Sequence, residues 1–403
     1  MKVIFTFGGL PHYYNYVLNR LNKLPGYEVK VIIPSGKSSS LGKGVHQTSK
    51  DIDFGIIELE EEKRWYGKHN FRNLIQVLKK EKPDILVVIW PYVLGFVLLP
   101  GWYRTIKKLG IKLVYKDIPF NIPKYNKSLK FYRKNLQDES RHLKHHNWGI
   151  SQKLYYLLVR ELIKKYLNKM DAHVYYTEEA YDIIPTYAVP REKIHIIYNS
   201  PDTDRLFSIR EEIQNDTEEQ TGNVKQILHV GRLVAWKNVD LLIEAFDQVQ
   251  KKIPQSRLII IGTGPEKDKL QKLAKEKGIS DKVSFEGGIY DEKTLARYFL
   301  DSSVYVLAGM GGISINDAMC FGKPVICSRA DGTEKKLVRA GYNGYYFEEN
   351  NAIDLADKIV KIISDPETQE KFGENSTNII KNEINIHTVI SRYKKAFEYA
   401  LNA

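Results

Sequence analysis

The hydrophobic and polar residues of this chain form two successive series of short apolar runs, separated by segments of helical periodicity. In the first series, the runs predict strands at residues 3–7, 28–33, 85–89, 112–115, 173–177 and 194–198. In the second series, they predict strands at residues 226–230, 257–261, 283–286, 304–307 and 324–327. Strands that alternate with helices are typical of parallel sheets covered by helices. The pattern therefore predicts an α/β protein with two doubly wound parallel sheets.

A polar segment separates the two series. Residues 206–224 are rich in acidic, amide and small polar residues, a composition typical of an interdomain linker. We therefore expect an N-terminal domain at residues 1–205 and a second domain at residues 225–385. The amphipathic helix predicted at residues 386–403 is expected to cross back to the first domain. Two doubly wound domains place a ligand-binding crevice beyond the carboxyl ends of their strands.

One apolar segment is nearly long enough to span a membrane. Residues 85–103 carry no charge over nineteen positions, whereas a spanning helix needs about 20 apolar residues. Two prolines and two glycines interrupt the segment, and a charged turn precedes it. The segment therefore predicts a buried strand, a turn at residues 90–92 and the start of a short helix.

The composition of the 403-residue chain is that of a globular protein. Hydrophobic residues make up 43% and charged residues 27%, which excludes a disordered chain. Cys320 and Cys327 are its only cysteines. A disulfide framework is therefore excluded, and a reducing, cytoplasmic location is expected.

The formal net charge of +12 is concentrated in one segment. Residues 121–170 contain twelve Lys or Arg residues and three acidic residues, a net of +9, with aromatic residues between them. Apolar positions at residues 150–163 fall on one helical face, with Lys153, Arg160 and Lys164 beside it. Three interpretations remain open: an interfacial helix on an anionic membrane, a nucleic-acid-binding surface, or a domain helix with a solvated basic face.

Glycine-containing turns follow two strands of the second series and carry the candidate chemistry. The strand at residues 226–230 runs into Gly231 and Arg232, and Lys237 follows five residues later. Both cations could hold a diphosphate at the carboxyl end of a parallel strand. Two solvated surface cations remain the alternative.

The strand at residues 304–307 leads into a glycine-rich turn and then into a helix with Asp317 in its first turn. Such a helix start presents unpaired N–H groups to an anion. Asp317 could accept hydrogen bonds from two ribose hydroxyls, or it could act only as a partner of the helix dipole. The turn at residues 262–264 lacks the third glycine of a dinucleotide fingerprint, but its backbone could approach a base or ribose closely.

Together these segments resemble the nucleotide-sugar domain of a known family. The matching motifs, in the family's order, are Gly231-Arg232-Leu233 with Lys237 and residues 261–265, 285–289, 309–319, 322–326 and 341–344. They resemble the retaining GT-B glycosyltransferases that include sucrose synthase and bacterial phosphatidylinositol mannosyltransferases. The resemblance covers about residues 226–348, is weaker at residues 187–199, and includes only Gly8-Gly9 near the N terminus.

The resemblance implies the GT-B fold, with two Rossmann-like domains facing a central cleft, and it implies roles for individual residues. The implied diphosphate-binding residues are Gly8, Gly9, Arg232, Lys237, Gly312, Ile313 and Ser314. The implied nucleoside-binding residues are Gly262, Ile289 and Asp317, and the implied donor-sugar residues are Lys116, Asp117, Gly309, Met310 and Gly311. The implied catalytic residues are Arg232 and Lys237, which would stabilise the leaving diphosphate, together with Asp117.

The chain departs from the family at two places. The first Glu of the family's Glu–seven residues–Glu motif contacts the transferred sugar, and it is Gly309 here, while the second Glu is shortened to Asp317. The family's His-Asp pair after the fourth strand is Lys116-Asp117. Because the residues expected to hold the nucleotide persist, we expect an altered sugar pocket rather than an inactive protein.

The resemblance implies a retaining, metal-independent glycosyltransferase of cell-surface polysaccharide or glycolipid assembly, peripheral on the inner face of the cell membrane. It would move a sugar from a nucleoside-diphosphate sugar, expected to be a UDP-sugar, to a glycan or lipid-linked acceptor. No cofactor and no nucleic-acid partner is expected, and residues 121–170 would contact an anionic membrane. No oligomeric state is predicted.

The sequence leaves other functions and sites to weigh. His142, His145 and His146 have no Cys or carboxylate at ligand spacing, so no metal site is predicted. The alternatives to a transferase are a GT-B sugar-nucleotide epimerase or phosphorylase, and a non-catalytic nucleotide-sugar-binding protein.

Overall fold

The structure, a computed structural model, describes residues 1–36, 51–136, 148–216, 224–329 and 332–403. These residues form two compact units. The first unit comprises Met1–Tyr198 together with Val389–Ala403, and the second comprises Asn199–Thr388.

The first unit is built on a parallel sheet. The described strands of this unit are β1 (Lys2–Thr6), β2 (Glu28–Pro34), β3 (Gly55–Leu59), β4 (Glu61–Lys63), β5 (His69–Phe71), β6 (Ile85–Val88), β7 (Lys112–Asp117), β8 (Ala172–Tyr175) and β9 (Ile194–Ile196). Seven of them pair in parallel in the order β3-β2-β1-β6-β7-β8-β9, and β4 and β5 form an antiparallel hairpin. The strand order reverses between β1 and β6, which makes their carboxyl ends the switch point of this sheet.

Helices cover this sheet. The described α-helices before residue 199 are α1 (His12–Asn22), α2 (Leu74–Glu81), α3 (Gly95–Leu98), α4 (Trp102–Lys108), α5 (Ser128–Leu136), α6 (Ile150–Leu167) and α7 (Ala180–Ile183). All four residues of β6 are buried, as expected for a central parallel strand covered on both faces. The core around β6 includes Phe71, Leu113 and Tyr166.

The long apolar segment folds as predicted from the sequence. It begins with β6, continues through a 3₁₀ turn at Tyr92–Leu94, and ends in the short helices α3 and α4. Among the residues that the structure describes, no helix combines the length and apolar character needed to cross a bilayer. The prediction of a strand, a turn and a short helix is confirmed.

The second unit contains a second parallel sheet. Its described strands are β10 (Lys225–Val230), β11 (Ser256–Ile261), β12 (Val283–Gly287), β13 (Val304–Leu307), β14 (Val325–Cys327) and β15 (Gly344–Tyr346). They pair in parallel in the order β12-β11-β10-β13-β14-β15. The switch point of this sheet lies between β10 and β13. The prediction of two doubly wound parallel sheets is therefore confirmed.

The helices of the second unit follow the same alternation. They are α8 (Thr203–Asp216), α9 (Val239–Lys252), α10 (Lys267–Glu276), α11 (Glu292–Asp301), α12 (Ser314–Cys320), α13 (Glu334–Leu337), α14 (Ala352–Ile363) and α15 (Pro366–Asn382), followed by α16 (Ile386–Asn402). Residues 389–403, the larger part of α16, belong to the first unit. There Phe5 packs edge-on against Tyr393 and Phe397.

The predicted linker differs from the structure. Residues 206–216 lie in α8 rather than in an irregular connection, and residues 217–223 lie outside the described residues. Ile209 and Ile213 are buried on one face of α8, and Arg210 donates to the carbonyl oxygen of Cys320 at 2.9 Å. The polar residues that suggested a linker are the solvated face of an amphipathic helix.

Candidate functional site

The two motifs expected to hold a diphosphate lie at the same edge of the second sheet. Gly231 and Arg232 follow the carboxyl end of β10, and the glycine-rich turn at residues 309–312 follows the carboxyl end of β13. These two strand ends flank the switch point of the sheet. Ligands of open α/β sheets bind at this position. The structure therefore brings the predicted phosphate-binding segments of the second unit together.

Lys237 connects the two segments. It ends a 3₁₀ turn at Ala235–Lys237 and is buried. Its Nζ donates to the carbonyl oxygens of Met310 and Gly311, each at 2.8 Å. A Cβ at Gly312 would lie 3.2 Å from the same nitrogen. The ammonium is thus held beside the turn that precedes α12, which contains the predicted residues Gly312, Ile313 and Ser314.

Arg232 follows β10, on the opposite side of the switch point from the glycine-rich turn that follows β13. Its guanidinium carbon is 5.6 Å from the ring centre of Trp236, within the range of a cation–π interaction. The indole of Trp236 is half exposed. The flat faces of the two groups limit the positions that the guanidinium can take. Trp236 was not predicted as a site residue, and an aromatic residue directly before a candidate phosphate-binding lysine is the signal that could have identified it.

Two further buried side chains join β10 to β13 beneath these cations. The Tyr305 hydroxyl donates to the carbonyl oxygen of Val230 at 3.2 Å and is 2.6 Å from Ser314 Oγ. His229 Nδ1 lies 3.0 Å from the carbonyl oxygen of Val306. Burial lowers the pKa of His229 to about 4, so its ring is neutral at pH 7 and adds no charge to the site. Neither residue was predicted, although each is a polar side chain between aliphatic neighbours of its strand.

Gly309 leaves no room for a side chain. A Cβ at this position would lie 2.2 Å from the carbonyl oxygen of Trp236 and 2.5 Å from the carbonyl carbon of Lys237. The backbone N–H of Met310 donates to the same Trp236 oxygen at 3.0 Å. The backbone of residues 236–237 therefore occupies the space in which the side chain of the family's first Glu would begin. A Glu could not be added here without moving one of the two loops.

Gly262 packs closely against the chain's own backbone. A Cβ on Gly262 would lie 1.8 Å from the carbonyl oxygen of Gly231, and one on Gly264 would lie 2.1 Å from that of Leu233. These glycines allow the turn to pack against the chain's own backbone next to Arg232. The absence of a side chain at both positions is thus required by residues 231–233, and contact with a base or ribose stays a prediction.

The predicted nucleoside-binding residues beyond Gly262 follow strand ends of the same sheet. Asp317 is in the first turn of α12, and Ile289, which follows β12, is half-buried. Burial raises the pKa of Asp317 to about 7, and the negative charge of Glu292 adds to this shift. The Asp317 carboxyl group therefore titrates in the neutral pH range.

In the first unit, Lys116 is surrounded by aromatic side chains. Its Nζ is 4.5 Å from the ring centres of Tyr14 and Tyr176 and 5.8 Å from that of Phe7. It donates to the Tyr14 hydroxyl at 3.2 Å and to the Tyr176 hydroxyl. Burial lowers the pKa of Lys116 to about 7, while the charge of Asp117 acts in the opposite direction. The aromatic partners were not predicted, because they come from distant parts of the chain.

Asp117 follows Lys116 in β7, and Gly8 and Gly9 follow Phe7, which contacts this lysine. The Asp117 carboxylate accepts hydrogen bonds from the Tyr115 hydroxyl and, at 2.7 Å, from the backbone N–H of Ile118. Burial raises the pKa of Asp117, partly offset by the hydrogen bond from Tyr115. Gly8 and Gly9 are buried and follow Phe7 directly. Of the predicted catalytic residues, Asp117 belongs to the first unit, and Arg232 and Lys237 belong to the second.

Within the described ranges, no group of three His, Cys, Asp or Glu side chains is arranged to hold a metal ion. His142, His145 and His146 lie outside the described residues.

Comparison with known proteins relates the second unit to a sequence family. Residues 210–379 match the family described as glycosyl transferases group 1. An uncharacterized glycosyltransferase of Methanocaldococcus jannaschii is 29% identical over 255 residues, which are 62% of this chain and 64% of that protein. The poly(ribitol-phosphate) alpha-N-acetylglucosaminyltransferase of Staphylococcus aureus is 26% identical over 203 residues, 50% of this chain and 41% of that protein. The matches thus span less than two thirds of the length of either relative.

Comparison with solved structures extends the similarity to the whole chain. The crystal structure of HepE from Anabaena, in complex with UDP, aligns with 99% of this chain and 100% of its own, with a TM-score of 0.68 and 17% identity. At this identity the alignment shows a shared fold, and the predicted GT-B fold is confirmed. Residues 210–379 of the second unit are thus similar to the group 1 glycosyltransferases, and the whole chain shares the GT-B fold.

Proposed function

We propose that this protein is a glycosyltransferase that moves a sugar from a nucleoside-diphosphate sugar to a glycan or lipid-linked acceptor. The observation that carries the proposal is the pair of cations at the switch point of the second sheet. Arg232 follows β10, and Lys237 reaches across to the turn after β13. The group 1 glycosyltransferase match of the same residues supports it. A UDP-sugar is the proposed donor, because HepE was crystallised with UDP.

The proposed mechanism assigns these cations to the leaving group. As the bond from the sugar C1 to the diphosphate breaks, negative charge develops on the phosphate oxygens. Arg232, Lys237 and the backbone N–H groups of residues 312–314 would stabilise that charge, and a preorganised donor of this kind contributes about 3 kcal/mol to the transition state. Because protein cations fill this role, we propose a metal-independent reaction. Retention of the anomeric configuration is proposed from the family resemblance.

The remaining contacts of the donor follow from the same assignment. Asp317 would accept hydrogen bonds from the ribose, with Ile289 against the base and Gly262 beside it. Lys116, Asp117, Met310 and Gly311 would contact the transferred sugar. Since Gly309 offers no side chain, the sugar hydroxyl that the family's first Glu would bind must find another partner.

Helix α6 is the proposed membrane contact. Ile150, Leu154 and Leu158 recur every fourth residue, which places them on one face, and they are 86%, 58% and 62% exposed. The exposed cations of α5 and α6 are Lys130, Arg133, Lys134, Lys153 and Lys165. Exposed apolar and basic residues on neighbouring helices fit the interface of an anionic bilayer, where each cation contributes about 1 kcal/mol. We propose peripheral attachment at the inner face of the cell membrane, in surface polysaccharide or glycolipid assembly.

Three residues that the sequence placed on this face have other contacts. Ile163 is buried. Arg160 lies 4.1 Å over the ring of Tyr125 and pairs with Glu161 at 3.0 Å, and Lys164 lies 5.4 Å over the same ring. The proposed contact is therefore limited to the first half of α6 and the neighbouring α5.

The proposed activity can be tested by measuring turnover across a panel of UDP-, GDP- and ADP-sugars with glycan and lipid-phosphate acceptors. We expect UDP release that requires an acceptor and is unchanged by EDTA. Arg232→Ala and Lys237→Ala should each lower kcat by about 10²–10³-fold, whereas Lys272→Ala, on the exposed surface of α10, should not.

Other outcomes of this assay would favour the alternative functions. Conversion of a UDP-sugar without any acceptor would indicate an epimerase, and phosphate-dependent release would indicate a phosphorylase. Binding of UDP-sugars with no turnover of any donor would indicate a binding protein and would contradict the proposal.

A further inference from the structure

The environment of Lys116 is unusual for a residue that only contacts a sugar hydroxyl. Its side chain is 4% exposed. Its hydrogen-bond partners within the described residues are the phenols of Tyr14 and Tyr176, which are neutral at pH 7. Asp117 is the neighbouring carboxylate whose charge acts on the ammonium, but its oxygens accept hydrogen bonds from Tyr115 and Ile118. Among the residues that the structure describes, Lys116 therefore has no directly bonded counter-ion.

A buried cation of this kind is unfavourable for stability. Transfer of an ammonium from water to the interior is costly unless an opposite charge compensates it. The faces of three aromatic rings offset part of the cost, and the lowered pKa of Lys116 reflects the remainder. An apolar side chain of the same length would fill the space at lower cost. Burial without a counter-ion is the environment expected of a group that meets its partner in a ligand.

The position of the cluster in the fold supports this interpretation. Lys116 is near the carboxyl end of β7, Phe7 follows β1, Tyr176 follows β8, and Tyr14 is in the first turn of α1. All four therefore lie at the carboxyl edge of the first sheet, the edge that contains the switch point between β1 and β6. Phe7 also leads directly into Gly8-Gly9, the segment that the resemblance assigns to phosphate and acceptor.

We propose that Lys116, together with Tyr14 and Tyr176, forms a binding site for an oxyanion of the substrate. The anion would be the carboxylate of an acidic donor sugar or the phosphate of the acceptor, so the inference rests on the proposed function. Each phenol accepts a hydrogen bond from the ammonium. The two hydroxyls lie 3.2 Å apart, so one donates to the other and one O–H remains for a ligand. The ammonium and one phenol O–H can thus converge on one oxyanion. A neutral imidazole, as the family has at this position, would bring no such charge.

A matched pair of ligands can test whether the oxyanion is the carboxylate of the donor sugar. UDP-glucuronic acid and UDP-glucose differ only in a carboxylate at C6, and UDP lacks the sugar. We expect calorimetry to show that the wild-type protein binds UDP-glucuronic acid at least about tenfold more tightly than UDP-glucose. Lys116→Met should abolish that difference and leave the affinity for UDP unchanged, while Lys116→Arg should retain most of it. Lys112→Met, at the other end of β7, is the matched control and should behave as wild type.

A second experiment tests whether the oxyanion is the phosphate of the acceptor, and it needs no nucleotide. Glycerol 3-phosphate should raise the Tm of the wild-type protein relative to glycerol, and Lys116→Met should remove that shift. Because the substitution removes a buried charge, the Met variant should be at least as stable as wild type without ligand. If it does not fold, Tyr176→Phe serves instead, since it deletes one donor and should weaken anion discrimination several-fold.

The outcomes separate this inference from the proposed function. Binding of UDP without any preference for either anionic ligand, or a preference that persists in Lys116→Met, would overturn the oxyanion site and leave the transferase proposal standing. Absence of UDP binding would contradict the proposed function, and the glycerol 3-phosphate arm would still decide whether the anion site exists.

Discussion

At the scale of single residues, the buried Lys116 and the partly exposed Asp317 of the candidate sites each have a pKa close to 7. Burial lowers the pKa of Lys116 and raises that of Asp317, in both cases to about 7. The directions are opposite because burial disfavours the charged form, which is the protonated form of lysine and the deprotonated form of aspartate. Ligand binding at either residue should therefore depend on pH in the neutral range.

Asp317 gives a prediction with a defined sign. Its ionised fraction grows as pH rises through 7, and the ionised carboxylate can accept hydrogen bonds from both ribose hydroxyls, whereas the protonated form accepts fewer. We therefore expect the affinity for UDP-glucose, measured by calorimetry, to increase between about pH 6 and pH 8. The Asp317→Asn variant keeps Glu292, the acidic neighbour that adds to the pKa shift of Asp317. We expect this variant to bind UDP-glucose weakly and with little pH dependence. An unchanged pH profile in that variant would exclude Asp317 as its source.

Gly309 gives a prediction about packing. Because a Cβ there would lie 2.2 Å from the Trp236 carbonyl oxygen, Gly309→Ala should lower the free energy of unfolding by about 1–3 kcal/mol, the usual range for overpacking. Denaturant titration measures this, with Gly36→Ala as control, since a Cβ at Gly36 meets nothing within 4 Å. Gly309→Glu, which restores the family's residue, should be less stable still and should not gain activity. A stable, more active Glu variant would show that the loop opens.

At the scale of elements, α6 combines a buried side with an exposed apolar one. The second half of α6 packs into the first unit through the buried residues Ile163, Tyr166 and Leu167. Its first half is held by the stacking of Tyr156 on Tyr132 of α5, with ring centres 4.4 Å apart, and exposes Ile150, Leu154 and Leu158. A helix anchored at one end and apolar outward at the other is suited to an interface rather than to a closed core.

The α6 contact can be tested by replacing Ile150, Leu154 and Leu158 with Ser. Each apolar side chain that leaves water contributes up to about 1.5–3 kcal/mol, so partial insertion of three should be worth at least tenfold in binding to anionic vesicles. Sedimentation with phosphatidylglycerol vesicles is the measurement. Ile353→Ser, on an exposed position of α14 in the other unit, is the control. Equal sedimentation of the triple variant and wild type would remove α6 from the proposal.

At the scale of the whole molecule, charge is distributed unevenly. Of the net +12, residues 121–170 contribute +9. The described part of that segment lies in the first unit, while the candidate phosphate site is in the second. The basic segment and the cations proposed to bind the nucleotide belong to different units, and they should respond differently to salt.

Ionic strength should separate the two features experimentally. Exposed charges are screened strongly, because the Debye length falls from about 10 Å at 0.1 M salt to about 3 Å at 1 M. Vesicle binding should therefore decrease steeply over that range. Binding of UDP, which we propose to involve the buried Lys237, should change much less. Salt-independent vesicle binding would contradict an electrostatic contribution of residues 121–170.

Much of the fold could be predicted from local patterns. The alternation of apolar runs with helical segments determined the two parallel sheets and most of their strands, since periodicity records which side chains are buried. The short edge strands β3 and β15 were not predicted. Each is defined by its pairing with one neighbouring strand, β2 or β14, more than by its own residues. Helix α8 was taken as a linker, because Ile209 and Ile213 are few among many polar residues.

The candidate sites divide in the same way. The sequence by itself determined that glycine turns and cations follow β10 and β13, because strand ends and turn residues are local signals. Only the tertiary structure decided that these ends flank one switch point, that Lys237 reaches the carbonyl groups of Met310 and Gly311, and that three distant aromatic rings enclose Lys116. Contacts between residues so far apart in sequence depend on strand order and packing, which no local pattern of hydrophobic and polar residues encodes.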